Sequence, residues 1–157
     1  MNTMSCYITL ENTNMESYIK SQDVRWSDLD PNFHMMHSKY YELGAYCRVC
    51  FLMEYELTDQ VLKEHKIGPI LLREECSFRR EIKFGDKLEI DLKLAKAKEN
   101  MSRWTIRHII YKNGEPAAHL EVDGAWIDMD KRKMAVPPET FKATFLQMPR
   151  TEDFHWF

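Results

Sequence analysis

Between Asp28 and His37 the chain packs two aspartates, one asparagine and two histidines into ten residues. They lie within the stretch Arg25-Trp26-Ser27-Asp28-Leu29-Asp30-Pro31-Asn32-Phe33-His34-Met35-Met36-His37-Ser38-Lys39-Tyr40, just ahead of the longest helical pattern. Acid–base side chains beside a helix N-terminus suit acyl transfer, because the N-terminal amides can steady a developing oxyanion. The same residue types also make polar loops that cap helices. Asp28, Asp30, His34 and His37 invite a metal reading as well. An H-x-x-H spacing, however, does not set both rings on one side of a regular helix as i, i+4 would, so no metal site is expected.

The elements that must position these residues are legible as changes of period. Tyr18 to Trp26 reads as a strand leading into the polar stretch. From about Ser38 the apolar residues Tyr40, Leu43, Gly44, Cys47, Cys50, Phe51, Leu57, Val61 and Leu62 recur at helical spacing. Tyr41, Ala45, Val49 and Leu52 add apolar residues on other faces, which predicts a buried helix. Gly44 in its interior suggests close approach of a neighbouring backbone. The region closes between Lys63 and Pro69, with Gly68-Pro69 as the break.

Beyond Pro69 the period becomes two. Ile70, Leu72, Glu74, Cys76 and Phe78 form one expected strand, and Phe84-Gly85-Asp86 a turn. Leu88, Ile90, Leu92 and Leu94 alternate with charged residues as a half-buried strand. A turn at Lys98-Glu99-Asn100 leads to a strand with Trp104, Ile106, His108 and Ile110 on one face. Asn113-Gly114 predicts a type I′ hairpin. A last strand is expected over Ala117–Asp128, then a short helix from Pro137-Pro138-Glu139 to about Leu146. The aromatic tail Phe154-His155-Trp156-Phe157 could dock on the body or on a partner. One sheet must therefore cover one long helix, most compactly by wrapping around it. The expected organisation is an irregular arm over 1–16, a single domain over 17–147 and a tail over 148–157.

Composition narrows the classes. With 157 residues, 44% apolar and 30% charged, the chain reads as one ordinary globular domain. A net charge of −3 argues against nucleic-acid binding. No apolar run reaches the ~18–20 residues of a membrane span, and the N-terminus lacks a secretory layout. A cytoplasmic location without membrane association is the default. Cys47-Arg48-Val49-Cys50 has redox spacing but falls inside the helical pattern, which favours two reduced core thiols. There is no G-x-x-x-x-G-K-[ST], no G-x-G-x-x-G and no G-x-S-x-G, so nucleotide and serine-hydrolase readings lose their main supports.

Motif and architecture together resemble the hotdog-fold thioesterases of the 4-hydroxybenzoyl-CoA thioesterase superfamily, an α+β fold whose curled antiparallel sheet wraps a long central helix. The resemblance covers roughly Ser21 to Pro138. Arg25-x-x-Asp28-x-Asp30-x-x-x-His34 followed by Tyr40 is similar to the family's entry motif. Asp28-Leu29-Asp30-x-Asn32-x-His34 resembles the acyl-carrier-protein thioesterases in particular. Ile67-Gly68-Pro69, Phe84-Gly85-Asp86 and Pro137 follow in the family's order. The chain departs from the pattern in three places. Met35-Met36-His37 stands where the family carries Val-Asn-Asn. Phe33 replaces Gly or Gln. Phe78-Arg79-Arg80-Glu81 replaces an aromatic-x-x-Pro. His37 also falls where the YbgC-like acyl-CoA thioesterases carry their histidine, so His34 and His37 compete for one role.

The resemblance implies an acyl thioester hydrolase acting on acyl-CoA or acyl-carrier protein. Asp30 would activate a water or attack the thioester carbonyl. Asn32 and His34, or His37, would orient the water or polarise the carbonyl, and backbone amides around Met36 and His37 would hold the oxyanion. Asp28 would tie the loop together. Arg79 and Arg80, with Lys83, Arg103 and Arg107, are candidates for coenzyme A phosphates or an acidic carrier protein. Met35, Met36, Tyr40, Tyr41 and Met53 could line the acyl pocket or simply pack the core. No cofactor is expected. A homodimer or homotetramer follows, with sheets joined edge to edge. The rival reading keeps the fold without chemistry, as a module that binds acyl-CoA or acyl-carrier protein. A dehydratase would need a His/Asp motif that is not found.

Overall fold

The computed structural model describes residues 15–157, so the expected arm over 1–16 lies almost wholly outside the described residues. In chain order the elements are β1 (Ile19–Asp23), a 3-10 turn (Trp26–Asp28), α1 (His37–Glu54), α2 (Asp59–His65) and β2 (Ile67–Phe78). Then come β3 (Lys87–Asp91), β4 (Lys93–Ala97), β5 (Arg103–Lys112), β6 (Glu115–Asp128), β7 (Lys133–Met134), α3 (Glu139–Leu146) and β8 (Arg150–Trp156). One sheet carries them: β2 pairs β6, β6 pairs β5, and β5 pairs both β3 and β4. β1 lies on β3 and β8 on β4. The sheet wraps α1, which packs on β2, β3 and β6.

The helical pattern read from Ser38 to Leu62 is two helices rather than one. Glu56 takes a left-handed φ of 65°, and the Leu57 amide donates to the Leu52 carbonyl at 2.8 Å. This folds the buried Leu57 back into the core, and Thr58 caps α2 by accepting from the Val61 amide. The expected burial of the helix holds for one face only. α1 buries Tyr40, Gly44, Cys47, Arg48 and Phe51, while Tyr46, Val49 and Met53 stay exposed. Phe51 meets Tyr18 edge-on and stacks on Tyr55, and its burial contributes about 1.5–3 kcal/mol. What presses on Gly44 is side chain, not backbone. A Cβ there would lie 3.0 Å from Leu120 and 3.4 Å from the His108 ring. Cys47 is buried and Cys50 half-buried, both as free thiols.

Gly68-Pro69 does not break the chain but lies inside β2, where Pro69 sits opposite Trp126. Proline lacks a ladder donor and is confined to sheet edges, and β2 is such an edge. The strand read through Leu88–Leu94 bends at Leu92, whose amide turns to the Tyr18 carbonyl. The Asp91 carboxylate fills the gap by accepting from the Ile109 amide. Asn113 and Gly114 both have positive φ, as the hairpin signal requires. α3 seals one end of the core, placing Phe141 and Phe145 against Trp126 and Phe145 against Trp104. The Ala117–Asp128 strand is not the last. The tail folds onto its own chain as β8, the one parallel strand pair among the described residues.

Candidate active site

The polar stretch folds into a tight loop against the segment before β3. Pro31 follows Asp30 in a β-turn closed by the Phe33 amide on the Asp30 carbonyl at 2.9 Å. Phe33 has φ 63°, and the Asp30 amide then donates to the His34 carbonyl at 2.8 Å. One oxygen of Asp30, Oδ1, accepts from the amides of Asn32 at 2.8 Å and His34 at 3.2 Å. Its other oxygen has no hydrogen bond among the described residues. The Met35 amide donates to the Ile82 carbonyl at 2.8 Å, and His34 bridges Lys83, tying the loop to the sheet. Buried Asp28 accepts from the Arg25 amide at 2.9 Å and serves the loop from behind.

The loop delivers Asp30, His34, Met35, His37 and Tyr40 to one pocket of about 380 Å³, whose opposite wall is Phe78, Arg79, Arg80 and Glu81. Seven sequence-derived candidates therefore meet: Asp30, His34, Met35, His37, Tyr40, Arg79 and Arg80. Asn32 does not reach it; only its amide takes part, through the bond to Asp30. Lys83, Arg103 and Arg107 also lie outside its lining, and Arg107 is held by Glu121 and Asp153. Met53 sits at the far end of α1, and Met36 and Tyr41 are not in the lining.

Met36 cannot supply an oxyanion amide, because its N–H donates to the Asp28 carbonyl at 2.9 Å. His37 is the first residue of α1, so its amide has no carbonyl partner within the helix and keeps the N-terminal dipole behind it. Glu81, named in the sequence only as part of the Phe78-Arg79-Arg80-Glu81 departure and given no role there, places a carboxylate oxygen 3.1 Å from His34 Nε2. Tyr40 meets Phe78 edge to face at 4.9 Å, and burial raises its phenol pKa, so it stays protonated. Arg80 pairs with Glu115 at 3.2 Å, whereas Arg79 makes no ion pair among the described residues. Those residues also contain no group of three His, Cys, Asp or Glu placed to hold a metal ion.

A larger cleft of about 530 Å³ opens on the sheet face turned away from α1. Its Arg107 is already paired with Glu121 and Asp153, and none of the loop residues lines it. It is not the site.

Residues 24–145 match the model of the thioesterase-like superfamily. The chain belongs to that superfamily. No curated protein sequence matches it. Among solved structures it is similar to a Staphylococcus aureus hypothetical protein in complex with CoA, with TM-score 0.79, 19% identity, and 86% of this chain and 87% of that one covered. It is also similar to a 1,4-dihydroxy-2-naphthoyl-CoA thioesterase from Synechocystis, with TM-score 0.74, 16% identity and coverage of 82% and 95%. A third is a thioesterase from Thermus thermophilus complexed with coenzyme A and zinc, with TM-score 0.71, 21% identity and coverage of 86% and 96%. At these identities the likeness is one of fold, and it is the hotdog fold. No helix among the described residues is long and apolar enough to cross a membrane.

Proposed function

We propose that this member of the superfamily hydrolyses acyl-CoA thioesters at the Asp30 pocket. One observation carries the reading: Asp30, both histidines and two arginines converge on a single pocket at the N-terminus of α1. Fold relatives solved with coenzyme A favour CoA over a carrier protein as the thiol carrier. Arg79, unpaired among the described residues, takes a CoA phosphate. The thioester carbonyl points at the His37 amide and the helix dipole, which stabilise the oxyanion. The uncommitted oxygen of Asp30 takes a proton from water as the water oxygen attacks the carbonyl carbon. The tetrahedral intermediate then expels CoA thiolate, which recovers that proton and leaves the carboxylic acid. Direct attack by Asp30 gives the same products through an anhydride. His34, held by Glu81, orients the water, with His37 as the competing residue for that role.

We further propose a homodimer built on the edge of β2, which among the described residues pairs only β6 and exposes Leu71, Leu72 and Phe78. Phe78 is at once on that edge and in the pocket wall.

The test is Asp30→Asn. Asparagine can still accept from the loop amides, so the fold should persist while kcat/KM on acyl-CoA falls at least about 100-fold. Unchanged hydrolysis would remove Asp30 from the chemistry. A wild type that binds acyl-CoA but cleaves none across short, long and aromatic acyl groups would leave the non-catalytic binding module standing instead.

A further inference from the structure

Two residues make the floor of the Asp30 pocket. Of the nine that line it, only Met35 and Tyr40 are buried, at 6% and 4% exposed. Tyr40 is backed by the core, with Phe78 across its ring. Met35 is backed by space. A second cleft of about 500 Å³ lies on the other side of the loop, between β1 and α1. Gln22, Asp28, Lys39, Leu43 and Tyr46 are among its lining, and Met35 is the one residue that the two linings share.

This wall is fixed in its backbone and soft in its side chain. The Met35 amide donates to the Ile82 carbonyl at 2.8 Å, and Met35 bridges Leu29. The next amide, that of Met36, donates to the Asp28 carbonyl at 2.9 Å. The loop cannot open at Met35 without leaving these backbone groups unpaired. What separates the two volumes is therefore an unbranched thioether side chain, the kind that fills irregular gaps by packing alone. An acyl group that enters past Asp30 and His37 ends against it, although room lies behind.

We propose that Met35 determines acyl length: the acyl group rests on the Met35–Tyr40 floor, and the Met35 side chain bars it from the cleft between β1 and α1. The proposal rests on the thioester reading of the Asp30 pocket and names its substrates as short acyl groups. A buried methylene ordinarily tightens binding about fourfold, so four of them would give about 200-fold if there were room. A closed floor withholds that gain from a longer chain. Shortening Met35 joins the two volumes and restores it.

The test measures binding, so it does not need turnover. Coenzyme A thioethers carrying a 2-oxopentyl or a 2-oxononyl group keep the carbonyl and are not hydrolysed; both are titrated calorimetrically into the full chain. The longer ligand should bind the wild type less than about tenfold tighter than the shorter one. In Met35→Ala that ratio should rise at least about fivefold, and Leu43→Trp added to it, filling the cleft from α1, should cancel the rise. Met35→Leu, of nearly the same volume, should keep the wild-type ratio. Should Met35→Ala fail to fold, Met35→Val removes less and should raise the ratio at least about twofold. A wild-type ratio above about tenfold overturns the proposal, as does a ratio unmoved in a folded, shortened variant or a rise that Leu43→Trp leaves in place. Failure of the wild type to bind either ligand overturns it together with the pocket. A length limit that holds while no short acyl-CoA is hydrolysed overturns the hydrolase reading alone.

Discussion

Asp30 uses its two oxygens differently. Oδ1 holds the loop through two amides, and the other oxygen has no hydrogen bond among the described residues. In the proposed mechanism structure and reactivity are carried by one side chain, which is why Asp30→Asn separates them and an alanine would not. His108 makes the opposite case, a histidine that burial, and then the Arg48 charge, keep from its usual titration. In the unfolded chain it takes up a proton near pH 6.5, whereas in the folded chain it does so only near 3. Its contribution is therefore complete above about pH 6.5 and is lost as pH falls toward 3. Denaturant titrations should show about 2 kcal/mol less stability at pH 5 than at pH 7, and His108→Gln should shrink that difference. At this scale the loop was readable, because Asp30, His34 and His37 lie within one short run whose order carries the resemblance. Glu81 was not readable. Its contact with His34 arises where two loops bridge across the sheet, and no local period marks it. Nor could the sequence show the Met36 amide being taken by the Asp28 carbonyl, a bond that depends on the fold of the loop.

At the scale of elements, the pocket depends on how tightly the sheet packs beneath α1 and α3. Gly124 is the sharpest case. A Cβ placed there would lie 2.1 Å from the Trp104 ring, the same ring that packs on Phe145 of α3. Gly124→Ala must therefore push Trp104 out of its seat. The expected loss is about 1–3 kcal/mol, readable as a lowered Tm with the Asp30 pocket chemically intact. Periodicity found β5, β6 and α3 because their apolar residues repeat without interruption. It merged α1 with α2 and β3 with β4 because Leu57 and Leu92 keep the pattern while the backbone turns. A left-handed residue at Glu56 and a side chain standing in for a ladder bond at Asp91 are invisible to a count of apolar spacing.

For the whole molecule, the wrap of one sheet around one helix follows from a chain with one long helical pattern and several half-buried strands. What lay beyond the sequence was how the sheet ends. β2 runs twelve residues with its outer edge open among the described residues and Leu71 and Leu72 about half exposed. Light scattering on the intact chain should give twice the monomer mass. Leu72→Lys, placing charge on that edge, should shift the balance toward monomer and lower activity with it, because Phe78 belongs to both edge and pocket. The opposite side of the sheet is finished differently. β1 and β8 lie there as two short strands, and β8 covers β4 with a row that includes Arg150, Glu152, Asp153 and His155. In the language of polymer chemistry, a unit with two reactive ends grows into a fibre, whereas a unit with one can only couple and stop. In the proposed dimer β2 is the one reactive end, and the charged row of β8 over β4 is what would make this chain a monofunctional monomer.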